Sequence, residues 1–171
     1  MVTWLRRRRL VKCPVVGRLA GIDQRISLCA DVLSHVREKR QLAPRSTEAG
    51  GQLFGTITAD LIEVTKATGP YIGDERSRYR YRSNPTAAQR AIQEQSRAGK
   101  LYLGEWHTHA EDTPGASGLD EDAMQRLLAR SRLNSNALLM LIVGRQETVA
   151  GLALFTVAPE GVHRWSLDSS A

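Results

Sequence analysis

Two histidines, a serine and an aspartate at short spacing are the residues of this chain best suited to chemistry. His107 and His109 are two positions apart, and Ser117 and Asp120 follow within the next eleven residues. Side chains at i and i+2 of an extended segment lie on the same side, so both imidazoles can bind one ion from the end of a strand. A carboxylate from the next helix, Asp120, would be the third ligand. Two histidines and one carboxylate leave a tetrahedral Zn²⁺ with a position open for water, which is typical of catalytic zinc.

The serine and the aspartate also fit a purely structural interpretation. Ser117 and Asp120 are spaced as a capping box, with aspartate in place of the usual glutamate or glutamine, and the apolar Met124, Leu127 and Leu128 follow. The two interpretations are compatible, since a helix N-terminus is a good place to fix a carboxylate ligand. The sequence leaves both open.

A zinc hydrolase also needs a general base, and Glu48 is the candidate. It lies just before a strand-like run that begins with Gly50 and Gly51, and such a glycine pair lets the backbone approach another element closely. The alternative for Glu48 is an exposed loop glutamate. Glu105 is the rival base because its parity along the strand matches that of His107, although we favour for it a role in orienting an imidazole or pairing with an arginine.

Taken together, these residues resemble a known family, the JAMM (MPN-plus) zinc metalloproteases. The matching pattern is Glu48, Gly-Gly-x-Leu-x-Gly over residues 50–55, and His-x-His-x7-Ser-x2-Asp over residues 107–120. That family cleaves isopeptide or peptide bonds at the C-termini of ubiquitin-like proteins. Residues 67–70, 73–78 and 102–109 resemble more narrowly the bacterial branch found in mobile elements and CBASS antiphage operons. There the family member removes a cGAS-like nucleotidyltransferase from the proteins to which it was joined. The resemblance runs from about residue 25 to 157.

The resemblance implies a role for each site residue. His107, His109 and Asp120 would bind Zn²⁺. Glu48 would move a proton from water to the leaving amine, and Ser117 would donate to the oxyanion, unless it is a helix cap only. The substrate would be a protein with a flexible C-terminal tail, in a ubiquitin-like or nucleotidyltransferase conjugate. The alternatives are a non-catalytic MPN scaffold, disfavoured because all five positions are present, and a protease that processes a sulfur-carrier ubiquitin-like protein.

Three positions depart from the family pattern. Ala110 and Ala116 stand where proline is common, and Met124 stands where the narrow branch tends to have tryptophan. None of them is a predicted ligand, so they bear on the rigidity of the loops and not on the chemistry.

Composition predicts one ordinary globular domain over residues 1–171, with residues 1–10 as a basic N-terminal arm. Hydrophobic residues are 42% of the chain and charged residues 25%. Neither a signal peptide nor an apolar run of membrane length is visible, and Cys13 and Cys29 are not in a Cys-x-x-Cys pair. We therefore expect a reducing cytoplasm, no membrane partner, and a buried thiol at Cys29.

The net charge of +6 raises the question of a nucleic-acid partner. Four consecutive arginines, residues 6–9, contribute heavily, but one short terminal cluster is more often a solvated face. A second arginine-rich segment, residues 73–83, alternates arginine with serine and tyrosine and is the better candidate surface for an acidic protein partner, or else a solvated loop. His35 and His163 have no ligand spacing and are predicted to be incidental.

Periodicity predicts an α/β fold. Helices are expected over residues 26–40, 85–98 and 118–132, and strands over residues 11–19, 52–58, 61–67, 101–107, 137–144, 149–157 and 162–167. Several of these strands are joined by connections too short for a parallel crossover. The prediction is therefore a mixed, mostly antiparallel sheet flanked by helices, and the resemblance implies the MPN (JAMM) fold.

Overall fold

A computed structural model of the chain describes residues 13–133 and 135–170. Within that part there are eleven strands and three α-helices. In chain order they are β1 (Val15–Arg18), β2 (Arg25–Leu28), α1 (Ala30–Arg37), β3 (Gly50–Ile57), β4 (Leu61–Ala67), β5 (Glu75–Ser77), β6 (Arg80–Arg82), α2 (Pro85–Arg97), β7 (Leu101–Thr108), α3 (Gly118–Arg130), β8 (Leu138–Val143), β9 (Leu152–Ala158), β10 (Gly161–Arg164) and β11 (Ser166–Ser169).

Nine of these strands form one sheet in the order β10-β9-β8-β7-β3-β4-β2-β1-β11, and β5 and β6 form a separate hairpin. Only the β2–β4 and β7–β8 pairs of the large sheet are parallel; the other pairs are antiparallel. The two parallel pairs are joined through α1 and α3, which are long enough connections for a crossover. The predicted mixed, mostly antiparallel α/β sheet with flanking helices is confirmed.

Helices cover both faces of the sheet. The buried side of α1 packs into a core that contains Trp106 of β7, whereas Met124 of α3 packs into a second core with Met140 and Ile142 of β8. All six residues of β8 are buried, as expected for a strand covered on both faces. The end of β7 is therefore paired on both sides, with β3 and with β8.

Strands β10 and β11 lie on opposite edges of the sheet, yet only Trp165 separates them in the chain. The sheet must therefore curl until its two edges approach each other. The backbone N–H of Trp165 donates to Leu154 O at 2.9 Å, which ties this corner to β9. The single edge strand predicted over residues 162–167 is therefore wrong, because that segment is split between the two edges.

The helix predicted over residues 26–40 is also wrong at its start. Residues 25–28 form β2, which pairs with β1 and β4, and α1 begins only at Ala30. The apolar residues Ile26 and Leu28 are fully buried in the sheet. Residues two positions apart share one face of a strand but lie on opposite sides of a helix, so the burial of both side chains fits β2.

Cys29 is not the buried thiol that the sequence predicts, because it is joined to Cys13 in a disulfide. The antiparallel pairing of β1 with β2, in which Val15 lies opposite Leu28, brings the two cysteines together. The disulfide removes one support for the expected reducing compartment, and the cytoplasmic location stays a prediction. The predicted basic arm, residues 1–10, lies outside the described residues. In the described part, no helix is long and apolar enough to cross a membrane.

Candidate active site

The predicted ligands His107, His109 and Asp120 come together at the end of β7. The Nε2 atoms of His107 and His109 are 3.1 Å apart. Asp120, from the first turn of α3, places Oδ1 3.2 Å from His107 Nε2 and Oδ2 3.4 Å from His109 Nε2. All three side chains are partly buried, and their ligand atoms lie within 4.8 Å of one another, so they could hold a metal ion.

Backbone pairing on both sides of β7 fixes the two imidazoles. His107 lies opposite Gly50 of β3 and opposite Ile142 of β8. His109 lies just beyond the strand, but its N–H still donates to Val143 O at 2.9 Å, so the pairing with β8 continues through the second histidine. The side chain of the intervening Thr108 lies on the other side of the strand and is fully buried.

The donor set fits a zinc ion. Two imidazole nitrogens and a carboxylate converge on one point, and nitrogen and oxygen donors of this kind are common Zn²⁺ ligands. Burial alone would raise the pKa of Asp120, but hydrogen bonds from both histidines lower it well below its usual range. Burial would lower the pKa of His109, yet its hydrogen bond to Asp120 and the charge of that carboxylate raise it. The lowered pKa of Asp120 and the raised pKa of His109 both indicate a site that favours a bound positive charge.

Ser117 and Asp120 form the capping box that the sequence allowed. Ser117 Oγ accepts from the backbone N–H of Asp120, while Asp120 Oδ2 accepts from the backbone N–H and the hydroxyl of Ser117 at 2.8 and 2.7 Å. The capping interpretation is thus confirmed. The cap also fixes the Asp120 carboxylate between the imidazoles, so the two interpretations do coexist. The role of Ser117 towards an oxyanion stays a prediction.

Glu48 is buried, with 6% of its surface exposed, and is not an exposed loop residue. Burial raises the pKa of its carboxyl to about 7, the positive charge of His109 lowers it, and the negative charge of Asp120 raises it. The two opposed effects place Glu48 within electrostatic reach of the ligand cluster. A carboxyl whose pKa lies near neutrality suits a general base.

The glycine pair beside Glu48 serves the close approach that the sequence predicts. A Cβ atom on Gly51 would lie 1.8 Å from the backbone oxygen of Thr68, and one on Gly50 would overlap the ring of Tyr81 and the backbone oxygen of Trp106. Only glycine lets β3 pass this close to its neighbours.

Glu105 does not occupy the place of a rival base or of an imidazole-orienting group. Its carboxylate accepts hydrogen bonds from Tyr102 Oη at 2.7 Å and from Gln52 Nε2 at 3.1 Å, and it pairs with no arginine in the described part of the chain. Burial raises its pKa to about 7, while these two hydrogen bonds lower it. The favoured roles for Glu105 are therefore wrong, because β3 presents Gln52 directly opposite it.

His35 is not incidental. Its Nε2 lies 2.6 Å from the backbone oxygen of Gly69, and its ring packs edge-on against Trp106. It ties α1 to the loop beside Gly51. The prediction fails because this contact spans 34 residues and has no local signal. His163, in contrast, lies on the exposed edge strand β10, away from the ligand cluster.

Sequence reasoning missed Gln41 and assigned Arg76 to the solvent-facing substrate loop. Gln41 is 1% exposed and binds three different segments, and Arg76 donates through Nε to the backbone oxygen of Glu48 at 2.5 Å. The contact between Gln41 and Thr108 spans 67 residues, so the sequence carried no local signal for Gln41. For Arg76 there was none either.

A mixed sheet with flanking helices is consistent with the family that the sequence matches. The family model described as prokaryotic homologs of the JAB domain matches residues 30–167, and the chain belongs to this family. The resemblance to a bacterial JAB/MPN branch is confirmed.

Three curated relatives carry the name CD-NTase/cGAS isopeptidase. The protein from Pseudomonas aeruginosa is 37% identical over 66% of this chain and 73% of its own length. The proteins from Vibrio cholerae and Escherichia coli are 31% and 30% identical, over 73% and 75% of this chain and 80% and 82% of their own lengths.

A solved structure agrees on the fold alone. The solution structure of protein DSY2949 from Desulfitobacterium hafniense has a TM-score of 0.53 and 22% identity, and the match covers 77% of this chain and 81% of that one.

Proposed function

We propose that the protein is a zinc-dependent isopeptidase of bacterial antiphage defence. It cleaves after the C-terminal tail of a nucleotidyltransferase, or of a ubiquitin-like protein, that has been conjugated to a target. The observation that carries the proposal is the convergence of His107, His109 and Asp120 beside a buried glutamate. The relatives named CD-NTase/cGAS isopeptidase support the nucleotidyltransferase conjugate as substrate.

His107, His109 and Asp120 would hold the zinc ion. When bound, Zn²⁺ supplies Lewis acidity, which lowers the pKa of a water molecule and polarises the scissile carbonyl. Glu48 takes the proton from the attacking water and passes it to the departing amine. Its raised pKa suits both steps, since the same carboxyl must first accept and then release a proton near neutral pH.

Ser117 stabilises the negative charge that develops on the carbonyl oxygen. In the structure its hydroxyl donates to Asp120 Oδ2, so it must rotate its hydrogen towards the substrate to serve as a donor. The backbone N–H of Ser117 continues to hold the carboxylate during that rotation. One such donor is worth about 3 kcal/mol of transition-state stabilisation.

A non-catalytic scaffold and a sulfur-carrier protease remain the alternatives. A scaffold has no use for a buried glutamate, because burying a carboxyl next to a charged cluster costs stability. Glu48 thus favours catalysis over the scaffold. The two enzymatic alternatives differ only in the protein that carries the scissile bond.

The decisive experiment incubates the zinc-loaded protein with a nucleotidyltransferase conjugate and, separately, with a sulfur-carrier fusion. We expect the first to be cleaved after the terminal residue of the tail, as identified by mass spectrometry. The variant Glu48→Gln should keep its zinc and lose turnover by at least about 100-fold, because a general base contributes 10²–10⁴-fold. Glu105→Gln is the matched control, and equal losses in both variants would contradict the assignment of Glu48.

A further inference from the structure

The hairpin of β5 and β6 lies against the main chain of Glu48. The backbone N–H of Glu48 donates to Ser77 O at 2.7 Å, and its backbone oxygen accepts from Arg76 Nε at 2.5 Å. Two neighbouring residues of β5 thus satisfy both polar groups of the Glu48 backbone. Arg76 does so with its side chain, although its residue as a whole is exposed.

These bonds hold Glu48 at the point where regular strand pairing ends, because the neighbouring Ala49 is the last residue bonded to β7. Glu48 precedes β3, which begins at Gly50, and so it lies outside the ladder between β3 and β7. In the described part of the chain, its carboxyl makes no hydrogen bond that would fix its direction. The direction of the buried side chain is therefore set by its main chain.

The hairpin is itself anchored to the strand that carries the histidines. Gln41 Nε2 donates to Arg78 O at 2.9 Å and to Ser46 O at 3.1 Å, and Gln41 Oε1 accepts from the hydroxyl of Thr108 at 3.3 Å. Within the hairpin segment, Asp74 Oδ2 accepts from Tyr81 Oη at 2.9 Å, which links the residue before β5 to β6. The hairpin is thus a fixed support between β7 and the Glu48 segment.

We propose that Arg76 is a positioning residue for Glu48. Its Nε–H holds the backbone carbonyl of Glu48 and thereby aims the carboxyl at the ligand cluster. The proposal rests on the proposed function for its effect on turnover, but not for its effect on the position of Glu48. It also reassigns Arg76, which the sequence placed in a substrate-holding loop.

Two variants separate the hydrogen bond from the charge. In Arg76→Gln, the side-chain amide nitrogen takes the position of Nε in the chain, so a donor is kept and the charge is lost. In Arg76→Met, a methyl group takes that position, so both are lost. Arg97→Met, at the exposed end of α2, is the matched control.

On a protein conjugate, we expect Arg76→Met to lower kcat by about 10- to 100-fold, because a small misplacement of a catalytic group has effects of this size. KM and zinc content should stay unchanged, and Arg76→Gln should recover most of kcat. If both Arg76 variants instead raise KM at unchanged kcat, Arg76 binds the substrate and the proposal is overturned. A kcat of Arg76→Met equal to that of Arg97→Met would overturn it as well.

Amide hydrogen exchange of the metal-free protein tests whether Arg76 holds the Glu48 backbone, and it needs no substrate cleavage. The N–H of Glu48, which donates to Ser77, should exchange at least tenfold faster in Arg76→Met than in Arg76→Gln, while the N–H of Thr108 stays protected. Equal exchange at Glu48 in the two variants would overturn the proposal. A parent protein that cleaves no conjugate contradicts the proposed function alone, and the exchange comparison then still decides the role of Arg76.

Discussion

The hydroxyl of Thr108 accepts a hydrogen bond from the backbone N–H of Ala49 at 2.9 Å. A second hydrogen bond runs in the opposite direction, from the backbone N–H of Thr108 to Ala49 O at 2.8 Å. Thr108 lies between the two predicted histidine ligands, and Ala49 follows the predicted base. This pair of residues therefore links the segment of Glu48 to the strand end that carries His107 and His109.

Thr108→Val tests that relationship. Valine has nearly the shape of threonine but no hydroxyl, so it leaves the N–H of Ala49 without its side-chain acceptor in a fully buried place. We expect the free energy of unfolding to fall by about 1–3 kcal/mol, and kcat to fall with it. Denaturant titration measures the first effect. Thr108→Ser is the control, and it should keep kcat near that of the parent; an active, fully stable Thr108→Val would contradict the argument.

Metal content tests the three predicted ligands. The purified protein should contain close to one zinc per chain, and His109→Ala should contain almost none, because two remaining ligands hold Zn²⁺ weakly. Added zinc should also raise the thermal midpoint of the parent and not that of the variant, since binding to the native state stabilises it. Elemental analysis and calorimetry give the two readouts. His163→Ala is the matched control, and full zinc occupancy in His109→Ala would refute the assignment.

The raised pKa of Glu48 predicts how stability depends on pH in the metal-free protein. Its pKa is about 7 in the folded state and 4.5 as the ordinary value, so the native state binds the proton more tightly. The Glu48 contribution to stability is therefore favourable below about pH 4.5 and is lost as the pH rises to about 7.

Glu48→Gln removes that contribution, since glutamine does not titrate. Its unfolding free energy relative to the parent should rise between pH 4.5 and 7, by up to about 3 kcal/mol for a shift of this size. Glu94→Gln, on the exposed side of α2, is the control for a change of charge. If the difference in unfolding free energy between Glu48→Gln and the parent is constant over this pH range, the pKa of Glu48 is not raised by burial.

The ligand cluster could be predicted from sequence because its geometry is local. His107 and His109 need only an extended strand, and Asp120 needs only a helix start, which Ser117 marks. Gln41 could not be predicted in the same way, since it acts through Thr108, which is 67 residues away. A contact of that kind follows from the pairing of strands and leaves no spacing in the sequence.

The errors in secondary structure have the same origin. Leu33 and Val36, in the later part of the predicted helix, are buried on α1 as expected. Residues 25–28 instead pair with β1 and β4 as a strand. Similarly, a short apolar run near Trp165 does not predict that β10 pairs with β9 while β11 pairs with β1 at the other edge of the sheet. Local periodicity cannot decide which distant strand will pair with a four-residue segment.

The hairpin of β5 and β6 still offers a surface for the substrate, but with only some of the arginines of the predicted segment, residues 73–83. Arg76 and Arg78 donate to the backbone oxygens of Glu48 and Pro44, whereas Arg80 and Arg82 are exposed on β6. These two side chains lie on the face opposite Tyr81, which is held by Asp74. Arg80 and Arg82 are therefore the cations available to an acidic protein.

Replacing both Arg80 and Arg82 by serine should raise KM on a full-length conjugate about 3- to 30-fold, because exposed charge pairs are each worth up to about 1 kcal/mol. The parent should show the stronger salt dependence of KM, and cleavage of a short tail peptide should change little, since a tail of a few residues offers little surface to the two arginines. The double variant Arg18→Ser/Arg25→Ser removes the same charge from the exposed ends of β1 and β2, at a distance from the ligand cluster. Equal losses on the conjugate and the peptide, or equal effects of the two double variants, would remove Arg80 and Arg82 from the substrate surface.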